Sequence, residues 1–195
     1  MKKLGIYLLI AVVVGMGIYY LNQANAYPVA SVNGEFISAS YYQKSLELGK
    51  AYYEKELVLT QAQQEEFNRE EFDIELKRAT LSALIHAAIA RQELEVLLTK
   101  EEATKRVEQR LAEVEEERGS ALEEAVKGVF ETDIETFREV VLRPEAYKEI
   151  LEQEVSERGM NYQAWMQAKV LSASVEVFAN GYQWKGMDIE LVQES

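Results

Sequence analysis

TLSALIHAAIARQELEVLLTKEEATKRVEQRL, from Thr80 to Leu111, is the stretch that decides the fold. Leu81, Leu84, Ile85, Ala88 and Ile89 recur at the spacing of a single helix face. The pattern begins near Glu70 and runs to Leu97-Leu98. Thr99-Lys100-Glu101-Glu102 then reads as a capping box, in which a Thr hydroxyl takes an orphan amide of the next helix. Ala103, Val107, Leu111 and Val114 form the narrower stripe of that helix, and Gly119 ends it. Two long helices follow one another here without a linker, so the chain is read as mostly helical.

Downstream the helical pattern continues in shorter pieces. Ala121–Phe130 places Leu122, Ala125, Val126 and Val129 on one side. Thr132-Asp133-Ile134-Glu135 reads as a second capping box, followed by Phe137, Val140 and Val141. Pro144 has no amide to donate and is expected to kink or restart the helix. Tyr147, Ile150, Leu151 and Val155 carry it to Gly159. Asn161 then caps a helix holding Tyr162, Trp165, Met166 and Val170. The end changes period. Ala173, Val175 and Val177 alternate with polar residues, Asn180-Gly181 is a turn, and Tyr182 and Trp184 alternate again. This reads as one or two terminal strands.

Upstream, Val29–Val32 and Glu35-Phe36-Ile37 flank Asn33-Gly34, a hairpin signal. Ser38 or Ser40 can cap a helix starting near Tyr41. That helix carries Tyr41, Tyr42, Leu46, Leu48, Tyr52 and Tyr53 and fades near Leu59, before the polar stretch Gln61–Asn68. An isolated strand is marginal. The strands at the two ends of the chain are therefore expected to pair and to close residues 27–195 into one domain. The predicted fold is mostly α, with a small β element joining the N- and C-terminal strands and a single apolar helix in front.

That apolar segment is Leu4–Leu21, preceded by Lys2-Lys3 and free of charge. Two readings stay open for residues 1–26. The stretch is close to the roughly 20 residues a membrane-spanning helix needs. Ala24-Asn25-Ala26 also offers a small-x-small signal-peptide cleavage site after Ala26. Both leave the lysines in the cytoplasm and the domain outside it, either anchored in a bacterial-type membrane or secreted or periplasmic.

Composition narrows the partners. The chain of 195 residues has a formal charge of −13. Residues 27–195 carry 19 bases against 34 acids, or −15. Such a surface repels phosphates, so no nucleic-acid partner is expected. Only Asp73, Asp133 and Asp188 are aspartates; the other acids are glutamates, which favour solvated helix faces. There is no cysteine, which excludes disulfides and thiolate metal sites.

No catalytic set emerges. His86 is the single histidine and lies inside a helix, where a structural role is the ordinary one. Neither a glycine-rich phosphate loop nor a calcium loop occurs. No enzymatic activity, cofactor or metal is expected. Trp165 is read as core, whereas Trp184 either caps the sheet or faces a ligand.

VASVNGEFIS, Val29–Ser38, followed by a helix, resembles the opening of the SurA/PrsA-type extracytoplasmic chaperones. Thr80–Leu111 is similar to that family's helix pair, with Leu84-Ile85, a Leu-rich end, then Thr and acids. Asp133–Val155 and AWMQAKVLSASVEVF, Ala164–Phe178, resemble its next helical pair and its returning helix and strand. The chain departs from many members in one respect. Only 40 residues follow Val155 and the sole histidine lies far upstream, so no parvulin isomerase domain fits. The resemblance implies a membrane-associated chaperone-like protein that binds unfolded or partly folded envelope or secreted polypeptides without proline isomerisation. The alternative is an envelope structural or adaptor protein with one dedicated partner. Tyr41, Tyr42, Tyr52, Tyr53 and Trp184 are the candidate client-binding residues, because amphipathic aromatics suit such a surface; packing into the core is the competing role. Client identity and oligomeric state stay open.

The topology is testable. Protease added to intact spheroplasts is expected to digest the domain, and protection would defeat the export reading.

Overall fold

The computed structural model describes residues 27–56 and 69–192. The apolar segment Leu4–Leu21 lies outside these residues. Among the described residues no helix is long and apolar enough to cross a membrane.

Strands β1 (Pro28–Val32) and β2 (Glu35–Ser38) form the expected hairpin, with Val32 opposite Glu35. Asn33 and Gly34 take φ of 50° and 86°, as a two-residue type I′ turn requires. Helix α1 (Ala39–Glu56) follows at once. Its cap is Ser38, whose hydroxyl accepts the Tyr41 amide at 3.3 Å; Ser40 sits in the first turn and bonds Ser38 instead.

Helix α2 (Arg69–Leu97) is the long apolar helix, and α3 (Lys100–Arg118) starts where the box predicts, with Thr99 accepting the Glu102 amide at 3.4 Å. Gly119 closes α3, and α4 (Ser120–Val129) turns away from it. The second box is displaced by one residue. Asp133, not Thr132, caps α5 (Ile134–Phe137), its carboxylate accepting the Thr136 amide at 2.8 Å. An ionised cap is the stronger one at the positive end of a helix.

Pro144 does not break the chain's course. A π-helical turn, Arg138–Leu142, leads directly into α6 (Arg143–Glu157). Pro144 could donate to neither Glu139 nor Val140, and the Arg143 amide reaches back to the Arg138 carbonyl. The carbonyl of Glu139 is thereby freed, and the Tyr41 hydroxyl donates to it at 3.3 Å. Helix α7 (Tyr162–Ser172) is capped by Asn161 as expected, at 2.9 Å to the Ala164 amide.

Three terminal strands follow rather than one or two: β3 (Val175–Val177), β4 (Tyr182–Trp184) and β5 (Ile189–Leu191). β3 runs antiparallel to β1, with Ala30 opposite Val177 and Val32 opposite Val175, so the two ends of the domain do pair. The sheet order is β2-β1-β3, while β4 and β5 form a separate hairpin.

The sheet, α1 and the first half of α2 share one core, in which Ala30, Val32, Leu81 and Ile85 are fully buried. The second half of α2 packs with α3 and α6 around Leu94, Val107, Leu111, Leu151 and Val155. A smaller cluster joins Leu48, Val126 and Phe137. The β4–β5 hairpin is clamped to α2 by Asp188. Its carboxylate accepts from the Ser82 hydroxyl at 2.6 Å, the Arg78 guanidinium at 2.8 Å and the Ile189 amide at 2.8 Å. Burial pushes this carboxyl up, but those donors outweigh it and hold it below the ordinary aspartate value.

Two outcomes follow. Ile85→Ala removes a fully buried side chain and is expected to cost about 2–5 kcal/mol in urea unfolding. A depressed carboxyl stabilises the fold above its unfolded pKa, about 3.9, and loses that contribution as pH falls through the lower folded value. Asp188→Asn is thus expected to lower the urea midpoint at neutral pH and to flatten the decline below about pH 4.

Candidate functional site

One flank of α2 carries Leu81, Ile85 and Ile89 into the core. Another carries Thr80, Ala83, Ala87 and Ala90, spaced 3, 4 and 3 apart along one face. Small side chains there leave the flank concave. It is the floor of an open groove of about 790 Å³.

The walls come from both halves of the chain. On one side α1 presents Leu48, Gly49 and Tyr52, with Phe130 from the end of α4. Gly49 is there for close approach: a Cβ on it would stand 3.3 Å from Leu76 Cδ1, where α1 crosses α2. On the other side α7 presents Tyr162, Met166 and Val170. Val140, Val141 and Pro144 of the π-helical turn line the groove as well, and Met187 of the β4–β5 loop closes one end. Polar groups such as Glu145, Lys148, Gln163 and Gln167 accompany this apolar lining. The volume falls in the roughly 300–1,000 Å³ range of ligand sites, and methionines in the wall can reshape to different occupants.

The structure divides the candidate aromatic residues. Tyr52 lines the groove and is 43% exposed. Its ring stacks on Phe130, with centroids 5.8 Å apart, and meets Tyr53 edge-on at 5.6 Å. Tyr53 is also exposed and packs edge-on against Phe72. Tyr42 is instead buried core, its hydroxyl 3.4 Å from the Lys77 carbonyl, and burial pushes its phenol up to about 12. Tyr41 is half-buried and lines a second, smaller cleft; burial, then the Glu139 charge, raises its phenol. Trp184 packs on the first core and meets His86 edge-on at 5.7 Å. His86 Nε2 lies 3.1 Å from the Met187 carbonyl, so the ring ties the β4–β5 loop to α2 while lining the groove. Of the five aromatics, only Tyr52 lines the groove.

The alanine floor and the methionine wall escaped the sequence reading. The signal was present: alanines repeat at helical spacing beside the leucine stripe on α2. Read alone, such a stripe is indistinguishable from tight helix packing. Only the placement of α7 and the π-helical turn leaves it open.

Among the described residues no group of three or more His, Cys, Asp or Glu side chains is placed to hold a metal ion. The arrangement offers contact surface for apolar side chains, framed by polar groups.

Comparison with known families identifies a SurA-like N-terminal domain over residues 1–97. That stretch contains β1, β2, α1 and α2, and so the floor and one wall of the groove. No curated protein and no solved structure matches the chain significantly.

Proposed function

Residues 1–97 belong to the SurA-like N-terminal domain family, and from this we propose a chaperone-like protein that binds unfolded or partly folded envelope or secreted polypeptides. The groove carries the proposal: an open, apolar channel on the α2 alanine face, walled by Tyr52, Phe130, Met166 and Met187. Unfolded chains expose the apolar side chains that folding buries, and such a channel removes them from water without demanding one sequence. The reading further places residues 4–21 as the membrane anchor or export signal, with the domain outside the cytoplasm. It assigns no proline isomerisation and no other reaction to the chain.

The acidic exterior supports the same reading. A net −15 over residues 27–195 keeps the domain itself soluble while one channel stays apolar. It also disfavours acidic client segments, so apolar or basic segments are the expected occupants.

The test is to fill the groove. Ala87 is half-buried on the floor, and Ala87→Trp projects an indole into the open channel. The variant is expected to unfold at the wild-type urea midpoint yet lose most of its ability to suppress aggregation of several unrelated unfolded proteins. Suppression at the wild-type level would remove the groove from the function. Wild-type activity toward one protein alone would favour a dedicated adaptor over a chaperone.

A further inference from the structure

Strand β2 lies at the edge of its sheet, with β1 on one side only. Val32 and Glu35 flank the two-residue turn and exchange backbone bonds, and the alternating ladder makes Ser31–Phe36 a pair that exchanges none. The amide and carbonyl of Phe36 therefore point away from β1, toward the open edge. Phe36 as a residue is 72% exposed, its ring meeting only one other aromatic ring among the described residues, that of Phe178 at 6.4 Å, an unusual cost for a phenylalanine.

The edge borders a cleft of about 370 Å³. All four residues of β2 line it, facing Tyr41, Ala88 and Tyr147. Its charges are paired off: Arg91 binds Glu35 and Glu95, and Arg143 binds Glu139 at 2.8 Å and Glu108 at 2.5 Å. What the cleft leaves unsatisfied is backbone, not charge. Leu84, Ala87 and Pro144 line both this cleft and the large groove, so the two sites adjoin.

We infer that the free edge of β2 is a second docking site, taking an extended segment of client polypeptide as an added strand whose side chains enter the adjoining cleft. An unpaired amide and carbonyl beside a cleft select a chain that supplies both groups in extended form. The inference rests on the client-binding reading above and deepens it. A client would lay apolar side chains in the groove and continue past Pro144 as a strand on β2.

The test uses the full chain in detergent micelles and reduced, carboxymethylated lactalbumin as probe. Phe36→Pro deletes the outward amide and leaves the bonds of β2 to β1 in place, since proline is tolerated on an edge strand. Phe36→Ala removes the ring and keeps the amide. Phe36→Pro is expected to bind the probe about five-fold more weakly than Phe36→Ala, the value of one net backbone hydrogen bond. Equal affinity of the two variants overturns the inference. Should Phe36→Pro fail to fold, amide exchange in the wild-type chain decides. The Phe36 amide is expected to exchange more slowly when probe is bound, and unchanged exchange at saturation overturns the inference. Slowing that grows with protein concentration and without probe also overturns it, because two copies then pair their edges. The edge is read at Phe36 in the wild-type chain, since Ala87 lines both the groove and the cleft. Phe36 protection with unimpaired capture by Ala87→Trp leaves the edge and removes the groove; capture lost in Ala87→Trp with Phe36 unprotected in the wild type does the reverse.

Discussion

Everything in this domain depends on β1 being paired on both edges. Ala30 and Val32 are fully buried, and their strand joins β2 next in sequence to β3 from the far end of the chain. Bringing those ends together costs loop-closure entropy, but that cost grows only with the logarithm of the loop length. The return is a continuous core that no helix could complete alone. Asn33 secures the junction. Its amide donates to the Ser174 carbonyl at 2.7 Å, its side-chain oxygen accepts the Ser174 amide at 2.8 Å, and its side-chain nitrogen donates to Gln92 at 2.8 Å. Gln92 in turn donates to the Val32 carbonyl at 3.0 Å. One turn residue thus ties the hairpin, the terminal strand and α2 together.

With the sheet fixed, α2 becomes the shared element of two cores. Its first half packs on the sheet and its second half on α3 and α6. A helix used on two flanks can leave a third flank uncovered, and the alanines at 83, 87 and 90 keep that flank shallow. The π-helical turn completes the arrangement. A regular helix through Pro144 would lose a bond and clash with the preceding turn. Widening the turn at Arg138–Leu142 accommodates the ring, sets Val140 and Val141 against the groove, and passes the missing bond to the Glu139 carbonyl, where the Tyr41 hydroxyl takes it up.

What the sequence revealed was local. The Asn33-Gly34 turn, the caps at Ser38, Thr99 and Asn161, the stop at Gly119 and the stripe from Leu81 to Ile89 each depend on neighbours within a few residues. Even the pairing of β1 with β3 was legible, because short strands at opposite ends had few other partners. The misreadings were choices between adjacent residues, as at Thr132 and Asp133, or depended on distant packing. β5 alternates over only three residues and takes its stability from Asp188, which is held by Ser82 and Arg78 more than 100 residues earlier. The tyrosines show the same limit. Tyr41 and Tyr42 are adjacent and chemically alike, yet one faces a cleft and the other the core, because successive helix positions point about 100° apart.

The surface charge and the groove are complementary consequences of one composition. Glutamates crowd the outer faces of α3 and α6, where arginines from the neighbouring helix or turn meet them: Arg110 with Glu149, Arg138 and Arg143 with Glu108. Most such pairs are partly exposed and contribute little each, on the order of 0–1 kcal/mol. Their larger effect is on where apolar surface can remain open. A large uncompensated negative charge sets copies of the domain against one another electrostatically, which opposes association through an open apolar channel. The client-binding role proposed above calls for a charged surround of this kind, and the helix exteriors suit it.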